Sequence, residues 1–149
     1  SDREIVLTRT FDAPRKLVWE AVTRPEHVRQ WYGCSAFTIT TCEIDLRVGG
    51  SYRYTMRTLE GVDHTMTGIY HEIVAPERVV HTERYETTGF TSPDAMVTMT
   101  LTEQDSRTRL QTVVLHPNKE SRDGHLNSGM ENGAGETFDR LAALLATMS

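Results

Sequence analysis

The sequence predicts an α+β fold, with about seven strands in a curved antiparallel sheet around a long C-terminal helix and two short helices after strand one. Three observations predict it. Short segments between residues 4 and 116 alternate apolar with polar residues, the signature of strands with one wet face. After Pro117 the apolar spacing changes to that of an amphipathic helix. Pro14 and Pro25 each open a stretch with apolar residues at helical spacing, in the first-turn position that proline favours.

Strand one covers Glu4 to Asp12, where Ile5, Leu7 and Phe11 face one way. Asp12 can cap the helix carrying Leu17, Val18, Ala21 and Val22, which ends near Thr23. The second short helix bears Val28, Trp31 and Tyr32 and stops at Gly33. A β-rich run from Phe37 to Val48 closes on Gly49 and Gly50, and the next strand puts Tyr52, Tyr54 and Met56 on one face and Arg53, Thr55 and Arg57 on the other. Further strands fit His64 to Val74, Arg78 to Tyr85, Ala95 to Thr102 and Thr108 to His116, separated by turn residues. Sequential antiparallel order is the simplest arrangement.

From Leu126 to Met148 one stripe carries Met130, Ala134, Phe138, Leu141 and Leu145. A continuous helix of about 30 residues would reach roughly 45 Å, across a whole sheet. Gly124, Gly129, Gly133 and Gly135 weaken that helix, each interior glycine costing about 1 kcal/mol against alanine. Gly133 and Ala134 either permit tight packing or a kink, or form one wall of a ligand cavity opposite Tyr52, Tyr54 and Met56.

The 149 residues contain no internal repeat, linker or low-complexity segment, so residues 1–149 read as a single domain. No apolar run approaches a membrane span, and Ser1 to Thr10 lacks the layout of a secretion signal. Two cysteines, Cys34 and Cys42, are too few for a disulfide framework. A cytoplasmic location is therefore expected. The net charge of −5 and the scattered basic residues argue against nucleic acid and against anionic membranes as partners.

The stretch from Phe11 through Pro14 and Pro25 to Trp31, the segment Asp45-Leu-Arg-Val-Gly-Gly-Ser-Tyr-Arg-Tyr54, the run from Gly68 to Thr82, and Ser128-Gly-Met-Glu-Asn-Gly-Ala-Gly-Glu-Thr-Phe-Asp-Arg-Leu141 carry a family likeness over nearly the whole chain. On these motifs the chain resembles the bacterial stand-alone homologues of the activator of the ninety-kilodalton heat-shock protein ATPase (AHSA-type), within the START-like (SRPBCC) superfamily. The resemblance implies a single helix-grip, START-like domain with a cavity between sheet and C-terminal helix. Superfamily relatives include polyketide cyclases, hydroxynitrile-type lyases, plant hormone receptors and antibiotic-resistance proteins, so the fold does not fix the function. One departure stands out. Family members often follow Trp-Trp or Trp-Phe with Gly-Pro, whereas Trp31-Tyr32-Gly33-Cys34 places a thiol near the implied pocket mouth.

The histidines at 27, 64, 71, 81, 116 and 125 show no metal-ligand spacing, and no phosphate-cradling or nucleophile motif occurs. No metal and no cofactor are expected. Glu43 and Asp45 read as a solvated face, and Arg47 as a structural ion-pair partner. The leading expectation is a protein that binds a small apolar or aromatic molecule, its cavity lined by Trp31, Tyr52, Tyr54, Met56, Tyr70, His81, Met99, Leu101, Met130, Gly133 and Ala134. The alternative is a cofactor-free enzyme of cyclase, lyase or hydrolase type, with His81 or Arg84 as the ionisable group. A third reading is a co-chaperone acting on a heat-shock protein; the second domain of the eukaryotic activators is not among these residues, so no ATPase stimulation is expected. Whether the chain is an enzyme, and whether it forms a homodimer, is left open by the sequence.

Overall fold

A computed structural model describes residues 2–33 and 37–148. The element order is β1 (Glu4–Phe11), α1 (Arg15–Thr23), α2 (Pro25–Trp31), β2 (Phe37–Ile44), β3 (Ser51–Thr58), β4 (Asp63–Val74), β5 (Arg78–Thr87), β6 (Phe90–Thr91), β7 (Ala95–Gln104), β8 (Arg107–Leu115), α3 (Lys119–Leu126) and α4 (Met130–Leu145). Every pairing is antiparallel. The strands follow the order β1-β8-β7-β5-β4-β3-β2, with β6 a short addition to β5. Neighbours are sequential except where β5 pairs with β7, past the short β6, and where β1 pairs with β8, so α1 and α2 carry the chain from one edge of the sheet to the other.

The α1–α2 pair packs through Val18, Trp19, Ala21, Val28 and Trp31, all buried. Pro14, rather than Asp12, occupies the N-cap of α1, and no side chain caps that end. Entry to the helix is tied to the sheet instead. The fully buried Thr108 hydroxyl on β8 donates to the Ala13 carbonyl oxygen at 2.7 Å. The core continues through Phe11, Tyr52, Tyr70, Val79, Leu101 and Leu110 of the sheet to Leu141 and Leu145 of α4.

The Gly49–Gly50 turn is fastened to β4 by Gly49 N–H to Tyr70 O and Tyr70 N–H to Gly50 O, both 2.9 Å. Gly50 has to be glycine, because a Cβ there would lie 2.2 Å from the Asp45 carbonyl oxygen. Register shifts between Ile39 and Thr41 and between Tyr70 and Glu72 break the regular ladder, as β-bulges do where a sheet bends.

The C-terminal segment differs from the continuous helix expected from its stripe. It breaks into α3 and α4 at Gly129, whose φ is +83°, a left-handed conformation that glycine adopts without a Cβ penalty. The final helix has 16 residues, roughly 24 Å. Its buried residues, Leu141 and Leu145, lie in its second half. The first turns therefore ride outside the core.

Candidate functional site

Side chains from β3, β4, β5, β7 and β8 meet α1, the end of α2 and α4 around a recess of about 170 Å³. It is bordered by Trp31, Tyr32, Tyr52, Tyr54, Tyr70 and His81 on its aromatic side, by Val79, Val97, Met99, Leu110 and Phe138 on its aliphatic and α4 side, and by Glu83. The rings form a connected cluster. Centroid separations are 5.8 Å for Trp31–Tyr32, 4.7 Å for Tyr32–Tyr54, 5.0 Å for Tyr52–Tyr54 and 5.7 Å for Tyr52–Tyr70, within the range of favourable aromatic contact.

Most polar tips in this cluster are committed to the fold. Trp31 Nε1–H donates to Ala21 O at 2.8 Å, joining α2 to α1. The Tyr52 hydroxyl donates to Thr82 O at 2.9 Å, and His81 Nδ1 lies 2.8 Å from the same oxygen. A carbonyl oxygen only accepts, so Nδ1 carries the proton and Nε2 keeps its lone pair. Burial lowers the His81 pKa, favouring this neutral form. The Tyr54 and Tyr70 hydroxyls interact, an effect that raises Tyr54 and lowers Tyr70. Burial outweighs it and pushes Tyr32, Tyr52, Tyr54 and Tyr70 all upward, so the four phenols stay protonated near neutral pH.

Glu83 is different. Its carboxyl has no hydrogen bond or ion pair among the described residues, and burial alone pushes its pKa from 4.5 to about 7. The Tyr32 hydroxyl likewise has no hydrogen-bond partner among the described residues. No lysine or arginine among the described residues borders the recess. Glu83 is half-buried and borders the recess, and a carboxyl without a partner among the described residues, set among aromatic rings, is the most chemically distinctive feature of the site.

Six residues expected at a cavity border the recess: Trp31, Tyr52, Tyr54, Tyr70, His81 and Met99. Five others lie away from it. Met56 sits two residues beyond Tyr54 on β3, its sulfur against Gly33, where a Cβ would approach it to 3.1 Å. Leu101 is 2% exposed and belongs to the solid core. Met130 packs on a separate cluster of Ile5, Ala95, Val97 and Val114. Gly133 and Ala134 are half-buried on the outlying turns of α4, and nothing lies within 4 Å of where a Gly133 Cβ would be. The break at Gly129 moved them: α4 reaches the recess through Phe138, which also packs edge-on against Phe11 at 6.1 Å. Arg84 is exposed and pairs with Asp94 at 2.7 Å, so of the two ionisable candidates His81 borders the recess, where Glu83 joins it. Arg47 pairs with Asp45 at 2.8 Å, and Cys34 lies outside the described residues.

The Glu83 position has a weak sequence signal. It stands two residues after His81 on a strand whose inward face otherwise carries Val79 and His81, and alternation alone would have placed it inside. Acidic residues are so rarely buried unpaired that the composition of the strand argued the other way.

No helix among the described residues is long and apolar enough to cross a membrane. A family model described as activator of Hsp90 ATPase homolog 1-like protein matches residues 12–146. Similar solved structures include a protein from Nitrosomonas europaea, 25% identical with a TM-score of 0.87, covering 99% of this chain and 96% of that one. A protein from Rhodobacter sphaeroides is 26% identical with a TM-score of 0.91, covering 100% and 96%. The AHSA1 protein from Silicibacter pomeroyi, 20% identical over 98% and 99% with a TM-score of 0.79, shares the fold. No curated protein matches the chain by sequence. A helix-grip α+β fold of this kind supports a ligand-binding or co-chaperone-like role in general terms.

Proposed function

Because this chain belongs to the activator of Hsp90 ATPase homolog 1-like family, whose shared fold leaves the chemistry to individual sites, we propose that it binds one small apolar or aromatic molecule in the recess. The observation that carries this reading is the ring cluster of Tyr32, Tyr52, Tyr54 and Tyr70 bordering a space of about 170 Å³ that their own side chains do not fill. An apolar void of about 150 Å³ accepts a benzene-sized molecule, whereas drug-sized ligands occupy about 300 Å³ or more. The occupant is therefore of one-ring size. A heat-shock ATPase is not required by this reading.

Nuclear magnetic resonance titration with benzyl alcohol tests it. Saturable shifts confined to Tyr54, Val97, Met99, Phe138 and their neighbours support the site. Thr112→Phe, which sends a ring into the same space from β8, should abolish those shifts while the variant keeps a cooperative unfolding transition. Shifts scattered over the outer sheet face, or none at all, overturn the reading.

Glu83 favours a second reading, a cofactor-free enzyme. A carboxyl with a pKa of about 7 at the border of the recess has the poise of a general acid or base. Mass spectrometry of compounds recovered after incubation separates the two: a chemically altered compound indicates catalysis, and an unaltered one indicates binding.

A further inference from the structure

Recognition inside the recess depends on which charges its border carries. Of the sixteen side chains there, Glu83 alone is an acid, His81 alone a nitrogen base, and no lysine or arginine contributes. His81 already spends its Nδ1 proton on Thr82 O. Among the described residues Glu83 has no partner, and neither does the Tyr32 hydroxyl, whose oxygen can accept. Around them stand the faces and edges of Trp31, Tyr32, Tyr52, Tyr54 and Tyr70.

We propose that the recess selects a small protonated amine, with Glu83 as its counter-ion, the Tyr32 hydroxyl as an acceptor and the tyrosine and tryptophan rings as its walls. This rests on the recess being a ligand site and goes further by naming the ligand's charge. An ammonium group supplies what the site lacks. It brings N–H donors for Glu83 and Tyr32 together with a positive charge that aromatic faces attract. A carboxylate ligand would instead meet a like charge, and a neutral alcohol would leave the ionised Glu83 without a counter-ion.

The titratable groups around Glu83 are Tyr32 from the end of α2, Tyr52 and Tyr54 from β3, Tyr70 from β4 and His81 from β5 itself, while β7, β8 and α4 present Val97, Met99, Leu110, Thr112 and Phe138. All four phenols stay protonated, so an incoming cation is matched by ionisation of Glu83. Binding therefore releases a proton when the protein is held near or below pH 7.

Isothermal titration calorimetry with benzylammonium, benzyl alcohol and benzoate, in buffers of different ionisation enthalpy, tests this on the wild type and on Glu83→Gln. The expected order for the wild type is benzylammonium about tenfold tighter than benzyl alcohol, with benzoate weakest and with proton release on benzylammonium binding. Glu83→Gln should erase the preference for the cation and the proton release. Equal affinities for cation and alcohol, or a preference unchanged in Glu83→Gln, overturn the amine assignment while leaving the recess as a ligand site. Binding of none of the three to the wild type overturns the ligand site and the amine assignment with it.

Discussion

The ring of Tyr52 lies directly over Gly68 on the neighbouring strand: a Cβ at Gly68 would stand 2.5 Å from Tyr52 Cε1 and 1.9 Å from the Thr82 carbonyl oxygen that accepts the Tyr52 hydroxyl. Glycine at this one position on β4 lets the tyrosine lie flat across the sheet and reach β5. The same carbonyl holds His81. One backbone oxygen therefore orients two of the rings that border the recess.

Gly68→Ala should accordingly destabilise the fold by at least about 2 kcal/mol, since both close neighbours would have to shift and one of them is backbone. Urea unfolding measures this. Tyr52→Phe should cost only about 1 kcal/mol, the net worth of one hydrogen bond, because Thr82 O keeps His81 as a donor. A Gly68→Ala variant as stable as the wild type would refute the close approach.

The pH dependence of stability should carry the mark of Glu83. Its folded-state pKa of about 7 lies above its ordinary 4.5, so between those values the folded protein binds more protons than the unfolded chain. Stability from this group is then full below about pH 4.5 and is lost as the pH rises through about 7. The loss is at most about 3 kcal/mol, reduced by whatever water wets the carboxyl through the recess. Glu83→Gln should unfold at a higher urea concentration than wild type at pH 8, and the difference should shrink on going to pH 4. Parallel wild-type and variant curves would contradict the burial of the carboxyl.

Two glycines of the last segment should respond in opposite senses. At Gly129 nothing blocks a methyl group, yet φ is +83°, so Gly129→Ala should cost about 1 kcal/mol in backbone strain alone. Gly133 lies inside α4 with open space around its Cβ position, so Gly133→Ala should stabilise by about 1 kcal/mol. Thermal unfolding of the pair tests the broken-helix geometry. Destabilisation by Gly133→Ala would restore Gly133 to a packed wall.

Phe138→Ala should enlarge the recess. It removes the α4 ring that meets Phe11 edge-on and should cost about 3 kcal/mol. In compensation, two-ring aromatic compounds should bind the variant more tightly than they bind the wild type. Calorimetry reads the affinity and urea unfolding the stability; an unchanged size preference would place Phe138 outside the binding space.

The strand pattern was legible because each half-buried strand writes its burial as alternation; Tyr52 and Tyr54 could be assigned to one shared face on that basis. The family motifs gave the same architecture. The α4 contribution was misread for a physical reason: a helical stripe fixes which residues share a face but not where a helix breaks, and Gly129 resets the axis so that Phe138 replaces Gly133 and Ala134. On β3, Met56 shares its face with Tyr54 but lies too far along the strand, against Gly33. Glu83 was missed because alternation argued for burial while charge argued against it, and only the assembled recess shows which prevailed.

The most direct measurement is a crystal structure determined under xenon pressure, since xenon enters apolar space that side chains leave empty. One xenon atom is expected among Tyr54, Val97, Met99 and Phe138. Side chains closed over that position, with no xenon there, would contradict it.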